Sequence, residues 1–174
     1  LNRLGIDPTV TDDHEEIQQA DKIIFPGQGE ARSAMNYLKD KKLDRVLTQL
    51  RQPVLGICLG MQLMCSHTEE NDTACLGIMD AKVKRFEGSF KIPHMGWNNI
   101  TQLSGVLFAE IKEQDYLYFV HSYYVNICEQ TMAQAEYGNN FSVALQKNNF
   151  YAIQPHPEKS ADCGIQILDN FLKI

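Results

Sequence analysis

Val54-Leu55-Gly56-Ile57-Cys58-Leu59-Gly60-Met61-Gln62-Leu63-Met64 decides the reading of this chain. Val54 to Ile57 is a short apolar run with the length of a buried strand, and a helix is expected to start near Leu59. Between them lies Gly-x-Cys-x-Gly, the spacing of a nucleophile elbow, in which a reactive side chain is held on a tight strand-to-helix turn. Its neighbours two residues away must lack side chains so that strand and helix can close around it. A cysteine at that corner would meet the free N–H groups of a helix start, which favour the thiolate. The N–H of Leu59 would point at the same spot and offer a hydrogen bond to an oxyanion. The bland alternative is a buried core cysteine, and it requires both glycines and the strand-to-helix setting to be coincidental.

A thiolate nucleophile needs a base, and the base needs an orienter. The apolar strand Phe150-Tyr151-Ala152-Ile153 runs into Gln154-Pro155-His156-Pro157-Glu158-Lys159-Ser160. Open α/β sheets place working side chains just beyond the carboxyl ends of strands. His156 and Glu158 stand two apart in an extended segment and can lean to one side, with Pro157 restricting φ between them. His14 and His67, each beside acidic residues, read as solvated surface histidines. A third signal is Pro26-Gly27-Gln28-Gly29 after the strand Ile23-Ile24-Phe25. Its exposed N–H groups suit an anion, although Pro-Gly is also an ordinary turn. It is no dinucleotide fingerprint, for the third glycine and the ribose-binding acid are both missing.

To either side of these blocks, the first half alternates strands and helices. Pro8 to Thr11 reads as a brief strand. Asp12 with Glu15 has the form of a capping box opening a short helix. Gly29 to Lys39 and Leu43 to Leu50 read as helices. After Cys75, alternating runs (Ala81 to Phe86, Tyr116 to Val120, Met132 to Ala135, Ser142 to Leu145) suggest antiparallel strands. A last helix from about Ala161 would bury Ile165, Leu168 and Leu172. The expected fold class is therefore α/β: a mostly parallel open sheet with helices on both faces plus an antiparallel extension, in a single domain over residues 1–174.

The chain has 174 residues, 44% hydrophobic and 22% charged, which suits a globular domain and excludes a disordered one. Its net charge of −6 disfavours nucleic acid and anionic membranes as partners. Pro53 to Cys65, the longest near-apolar run, is too short to span a bilayer. Five scattered cysteines form no disulfide framework and suit a reducing cytoplasm. No His/Cys cluster has zinc spacing, and no metal or other cofactor is expected. The opening Leu1 to Gly5 reads as the last turn of a helix closed by a glycine cap, so the sequence is expected to begin inside an element.

Taken together, Pro26-Gly27-Gln28-Gly29, Gly56-Ile57-Cys58-Leu59-Gly60 and His156-Pro157-Glu158 resemble, in order, the three blocks of triad-class glutamine amidotransferases. Pro93-His94-Met95-Gly96-Trp97-Asn98, His121-Ser122-Tyr123-Tyr124-Val125 and the run on to Lys159-Ser160 resemble one branch, the glutaminases that serve imidazole glycerol phosphate synthesis in histidine biosynthesis. The resemblance implies that Cys58 attacks L-glutamine to form a thioester, with His156 as base and Glu158 as orienter. It implies an oxyanion hole from the backbone of Leu59 and of Gly27 or Gln28. Gly29, Gln62, Glu70, Ser122 and Tyr123 would hold glutamine, with Glu69 competing for the role of Glu70. The implied partner is a (β/α)8-barrel cyclase that receives the ammonia, met by Trp97, Tyr116, Tyr118 and Lys159; for the two tyrosines, packing on the core is an equal reading. Members of the family usually begin with a strand and an Asp-Tyr-Gly-x-Gly-Asn turn, neither of which is present here. Gln28 stands where Val is common and Pro155 where Phe is common. Alternatives within reach of the same residues are a sister glutaminase, a silent regulatory subunit with this fold, and a cysteine acyl hydrolase.

Overall fold

The computed structural model describes residues 1–174. In chain order the elements are α1 (His14–Gln19), β1 (Ile23–Gly27), α2 (Ala31–Asp40), α3 (Leu43–Thr48), β2 (Val54–Cys58) and α4 (Leu59–Met64). Then come β3 (His67–Thr68), β4 (Thr73–Ala74), β5 (Lys82–Arg85), β6 (His94–Asn99), β7 (Tyr116–His121), β8 (Tyr123–Val125), β9 (Thr131–Tyr137), β10 (Asn139–Lys147), β11 (Phe150–Ile153) and α5 (Ala161–Leu172). The main sheet has nine strands in the order β1-β2-β11-β10-β8-β5-β3-β4, with β9 paired to β10. β1, β2 and β11 are mutually parallel, as is the short β3–β5 pair; the remaining pairings are antiparallel. β6 and β7 form a separate antiparallel ribbon. The α/β class expected from the sequence is the fold observed.

Alternation along β2 explains how the sheet is covered on two sides. Val54 joins a core cluster with Leu38, Leu47 and Met61 from α2, α3 and α4. Leu55 and Ile57 join a second with Ile167 and Phe171 from α5. Every residue of β2 and of α4 is buried.

Local details correct several expectations. Pro8 to Thr11 forms no strand, and Val10 projects into solvent with nothing to pack against. The cap of α1 is Asp13, whose carboxylate accepts from Glu15 N and Glu16 N. Asp12 is drawn instead to the Tyr37 hydroxyl and to Lys41. In α5 the inward face carries Gly164, Ile167, Asn170 and Phe171, while Ile165, Leu168 and Leu172 are only half-buried. Asn170 turned that face, because its side-chain amide donates to Leu107 O and Ala109 O and so pins the helix to the loop before β7.

The elbow is built from close approach. A Cβ on Gly60 would stand 1.9 Å from Phe25 O, and one on Gly56 would stand 3.0 Å from Gly60 C. Gly60 therefore makes room for the neighbouring strand β1, and Gly56 for the turn itself. Gly60→Ala is expected to destabilise the fold by about 3 kcal/mol, since the obstacle is backbone. Gly77→Ala, where φ is +69° but nothing lies within 4 Å, should cost about 1 kcal/mol. Urea unfolding of the two variants side by side checks the order.

Candidate active site

Cys58 ends β2 at φ 56° and ψ −112°, a backbone region that residues with a side chain rarely adopt. Parallel pairing sets its flanks. Gly27 is level with it on β1, and Ile153 is level with Ile57, so Gln154 comes alongside it on the other side. Three carboxyl ends thus meet at the sulfur, where α/β sheets keep their crevices.

A cavity of about 340 Å³ opens there. It gathers most of the residues singled out from the sequence: Gln28, Gly29, Cys58, Leu59, Gln62, Glu70, Ser122, Tyr123, His156 and Lys159. Glu158 stands behind His156, its Oε1 2.8 Å from His156 Nδ1, which leaves Nε2 to act elsewhere. The ring is locked in place by its backbone, with His156 N donating to Tyr118 O at 2.9 Å. Ser160 adds to this, its hydroxyl donating to His156 O at 2.6 Å while accepting from Tyr118 N. Ser160, fully buried, is a supporting residue that sequence reasoning passed over.

Glu69 and Glu70 separate cleanly. Glu69 is exposed and accepts from Arg85 N, away from the cavity. Glu70 lines it and accepts from Ala31 N through Oε2 at 2.8 Å. Gly27 does not line the cavity, and a Cβ there would stand 3.0 Å from Gly60 N and from Leu59 Cβ. A second concavity, about 350 Å³ and lined by Leu103, Ser104, Gly105 and Phe108, has no imidazole; its Ser104 hydroxyl donates to Met132 O, and its Glu113 is occupied by the Gln102 and Leu103 N–H groups.

The expected preference for thiolate is not what the resting site has. Burial pushes the Cys58 thiol up to about 11, against a smaller opposing effect of the Leu59 N–H. α4 is only six residues long, and the water it excludes costs the anion more than its N-terminus returns.

The β6–β7 ribbon carries three of the four residues expected to meet a partner, Trp97, Tyr116 and Tyr118. Leu117 and Phe119 point inward, fully buried, while Tyr116 is 58% exposed and Tyr118 half-buried. Trp97 is 52% exposed and meets the Tyr118 ring edge-on, and Lys159 Nζ lies 5.8 Å from the centroid of that ring. The two tyrosines therefore turn away from the core, and Tyr118 is tied to the cavity by Lys159, which lines it.

Two histidines that the sequence left without a role prove to be buried beside the site. His121 Nδ1 lies 2.7 Å from Tyr123 O and must donate to it, so His121 Nε2 is the acceptor for His94 Nδ1 at 2.8 Å. His94 stacks on Tyr137 and Phe119. Burial lowers His94 to about 4 and His121 to about 3, so both rings are neutral.

Residues 2–174 match the family model for class-I glutamine amidotransferase. The chain is 52% identical to imidazole glycerol phosphate synthase subunit HisH of Bacteroides thetaiotaomicron, over 100% of this chain and 90% of the relative. It is 46% identical to the protein of the same name from Pectobacterium atrosepticum, with the same coverage. Among solved structures, a glutamine amidotransferase superposes with TM-score 0.73 at 17% identity, covering 98% of this chain and 89% of that one. A glutamine amidotransferase from Thermotoga maritima gives 0.60 at 18% identity, covering 88% of this chain and 63% of that one. At such identities the solved structures speak for the fold.

The histidine pair predicts a pH dependence of stability. In the unfolded chain both rings take up protons below about 6.5, whereas in the folded chain they resist until about 4 and about 3. Stability is thus intact above pH 6.5 and falls as pH drops below it, by about 1.4 kcal/mol per unit for each ring. Urea unfolding between pH 6.5 and 5 measures the slope, and His94→Asn should roughly halve it.

Proposed function

This chain belongs to the class-I glutamine amidotransferase family, and from that premise we propose that it is the glutaminase half of imidazole glycerol phosphate synthase. It would hydrolyse L-glutamine to glutamate and hand the ammonia to a (β/α)8-barrel cyclase in histidine biosynthesis. The observation that carries the reading is the convergence of Cys58, His156, Gln62, Glu70 and Tyr123 on one cavity, with Glu158 hydrogen-bonded to His156 from behind.

In this reading Cys58 Sγ attacks the side-chain amide carbon of glutamine. His156 takes the thiol proton and returns it to the departing nitrogen, and Glu158 stabilises the imidazolium formed in between. The N–H of Leu59, with one from Gly27 or Gln28, receives the oxyanion. Water activated by the same imidazole then releases glutamate from the thioester. The free oxygen of Glu70 suits the α-ammonium of the substrate, and the backbone of Ser122 and Tyr123, with Gln62 and Gly29, suits the rest of its amino-acid end.

The exposed face of Met95, Trp97, Tyr116 and Tyr118 is the proposed seat of the cyclase, since Lys159 joins it to the cavity. Five free cysteines favour a reducing cytoplasm, and no helix is long and apolar enough to cross a membrane.

With cyclase present, Cys58→Ala should lower glutamate release by about 10² or more, and unaltered turnover would refute the assignment. Trp97→Ala should weaken cyclase binding about tenfold or more in calorimetry while leaving Cys58 open to a glutamine-like chloroketone. Turnover of peptides or esters without a partner would instead indicate a general acyl hydrolase.

A further inference from the structure

The carbonyl oxygen of Tyr123 can only accept, and it decides which way the polar groups around it face. His121 Nδ1 approaches it at 2.7 Å and Gln62 Nε2 at 3.2 Å. Gln62 must therefore present its NH2 end, and that same nitrogen lies 2.8 Å from Gln154 Oε1. With its oxygen committed to Gln62, Gln154 turns its own NH2 the other way, where Nε2 lies 3.8 Å from Cys58 Sγ. Reversing Gln62 would set acceptor against acceptor and reversing Gln154 would set donor against donor, so the orientation of both follows from one backbone oxygen.

We propose that Gln154 is a further catalytic residue of this centre: its side-chain N–H donates to the sulfur of Cys58 and stabilises the thiolate as His156 removes the proton. The proposal rests on Cys58 being the nucleophile and adds a donor that the triad does not include. Gln154 is fully buried, and its backbone is fixed by N–H donation to Val143 O at 2.8 Å. A thiol sulfur is a weak acceptor and a thiolate a strong one. The N–H aimed at Sγ is therefore poorly satisfied while the sulfur is neutral and well satisfied once it is charged. An interaction that strengthens only along the reaction coordinate accelerates the step. The other groups acting on the sulfur are the Leu59 N–H and Lys159, which favour the anion, and Glu158, which opposes it. Lys159 and Glu158 are exposed and screened by water, which leaves Gln154 as the buried side-chain donor in contact.

The test compares wild type with Gln154→Leu and Gln154→Met, two apolar replacements of similar size, so that a folding failure of one leaves the other. At pH 8 the rate of Cys58 alkylation by iodoacetamide, followed by peptide mass, should fall about tenfold, corresponding to an upward shift of about one pH unit in the sulfur's ionisation. With cyclase and saturating glutamine, kcat should fall about tenfold while KM changes less than about twofold. Unchanged alkylation together with a raised KM would overturn the proposal, because it would mean that Gln154 merely holds Gln62. In the unaltered protein, the Gln154 side-chain N–H resonance should move downfield as the sulfur ionises and should stay still in Cys58→Ala; a static resonance in both would also overturn it. A wild-type sulfur inert to a glutamine-like chloroketone, with no glutamate released, would instead remove the glutaminase reading itself.

Discussion

The backbone contact between Phe25 O and Gly60 is the constraint on which the rest depends. It brings the end of β1 within touching distance of the first turn of α4, at a separation that no side chain at position 60 would permit. Closing that gap forces Cys58 to carry the strained dihedrals of the corner, and in exchange lifts its sulfur above the sheet. Gly27 and Gln154 are then level with it because parallel strands β1, β2 and β11 share one register. Geometry, strain and neighbours of the nucleophile thus come from a single tight approach of two pieces of backbone.

Burial has two opposite consequences at this centre. It raises the thiol, so the resting sulfur is mostly protonated and slow to react with stray electrophiles. It also removes competing water, so the few donors that do reach the sulfur act at short range in a low dielectric. A chain of this kind is quiet by default, and its reactivity depends on how well imidazole, amide and backbone N–H groups are aligned around the charge as it forms. The neutral histidine pair, with His121 in the cavity wall, suits that role, holding the Tyr123 carbonyl in place without adding charge.

What was legible in the sequence is what short-range pattern controls. The elbow around Cys58, the strand Phe150 to Ile153, and the placing of His156 and Glu158 beyond it depend on glycines, prolines and apolar runs that announce themselves. The choice between Glu69 and Glu70 was not legible, because adjacent residues in the turn between β3 and β4 differ only in which way they face. Helix α5 turned its other stripe inward because Asn170 found two carbonyls 61 and 63 residues away, which no periodicity encodes. Asp13 displaced Asp12 as a cap because Tyr37 and Lys41 compete for Asp12 from across the fold. Gln154 and the histidine pair were missed for a related reason: their partners are set by strand register, a property of the assembled sheet.

The β6–β7 ribbon carries a further meaning. Leu117 and Phe119 of β7 fill the core, while Met95, Trp97 and Tyr116 stand in solvent. Apolar side chains of this size left in water favour association with whatever covers them. Preparations of the polypeptide alone will accordingly be stickier than those kept with a companion over that ribbon.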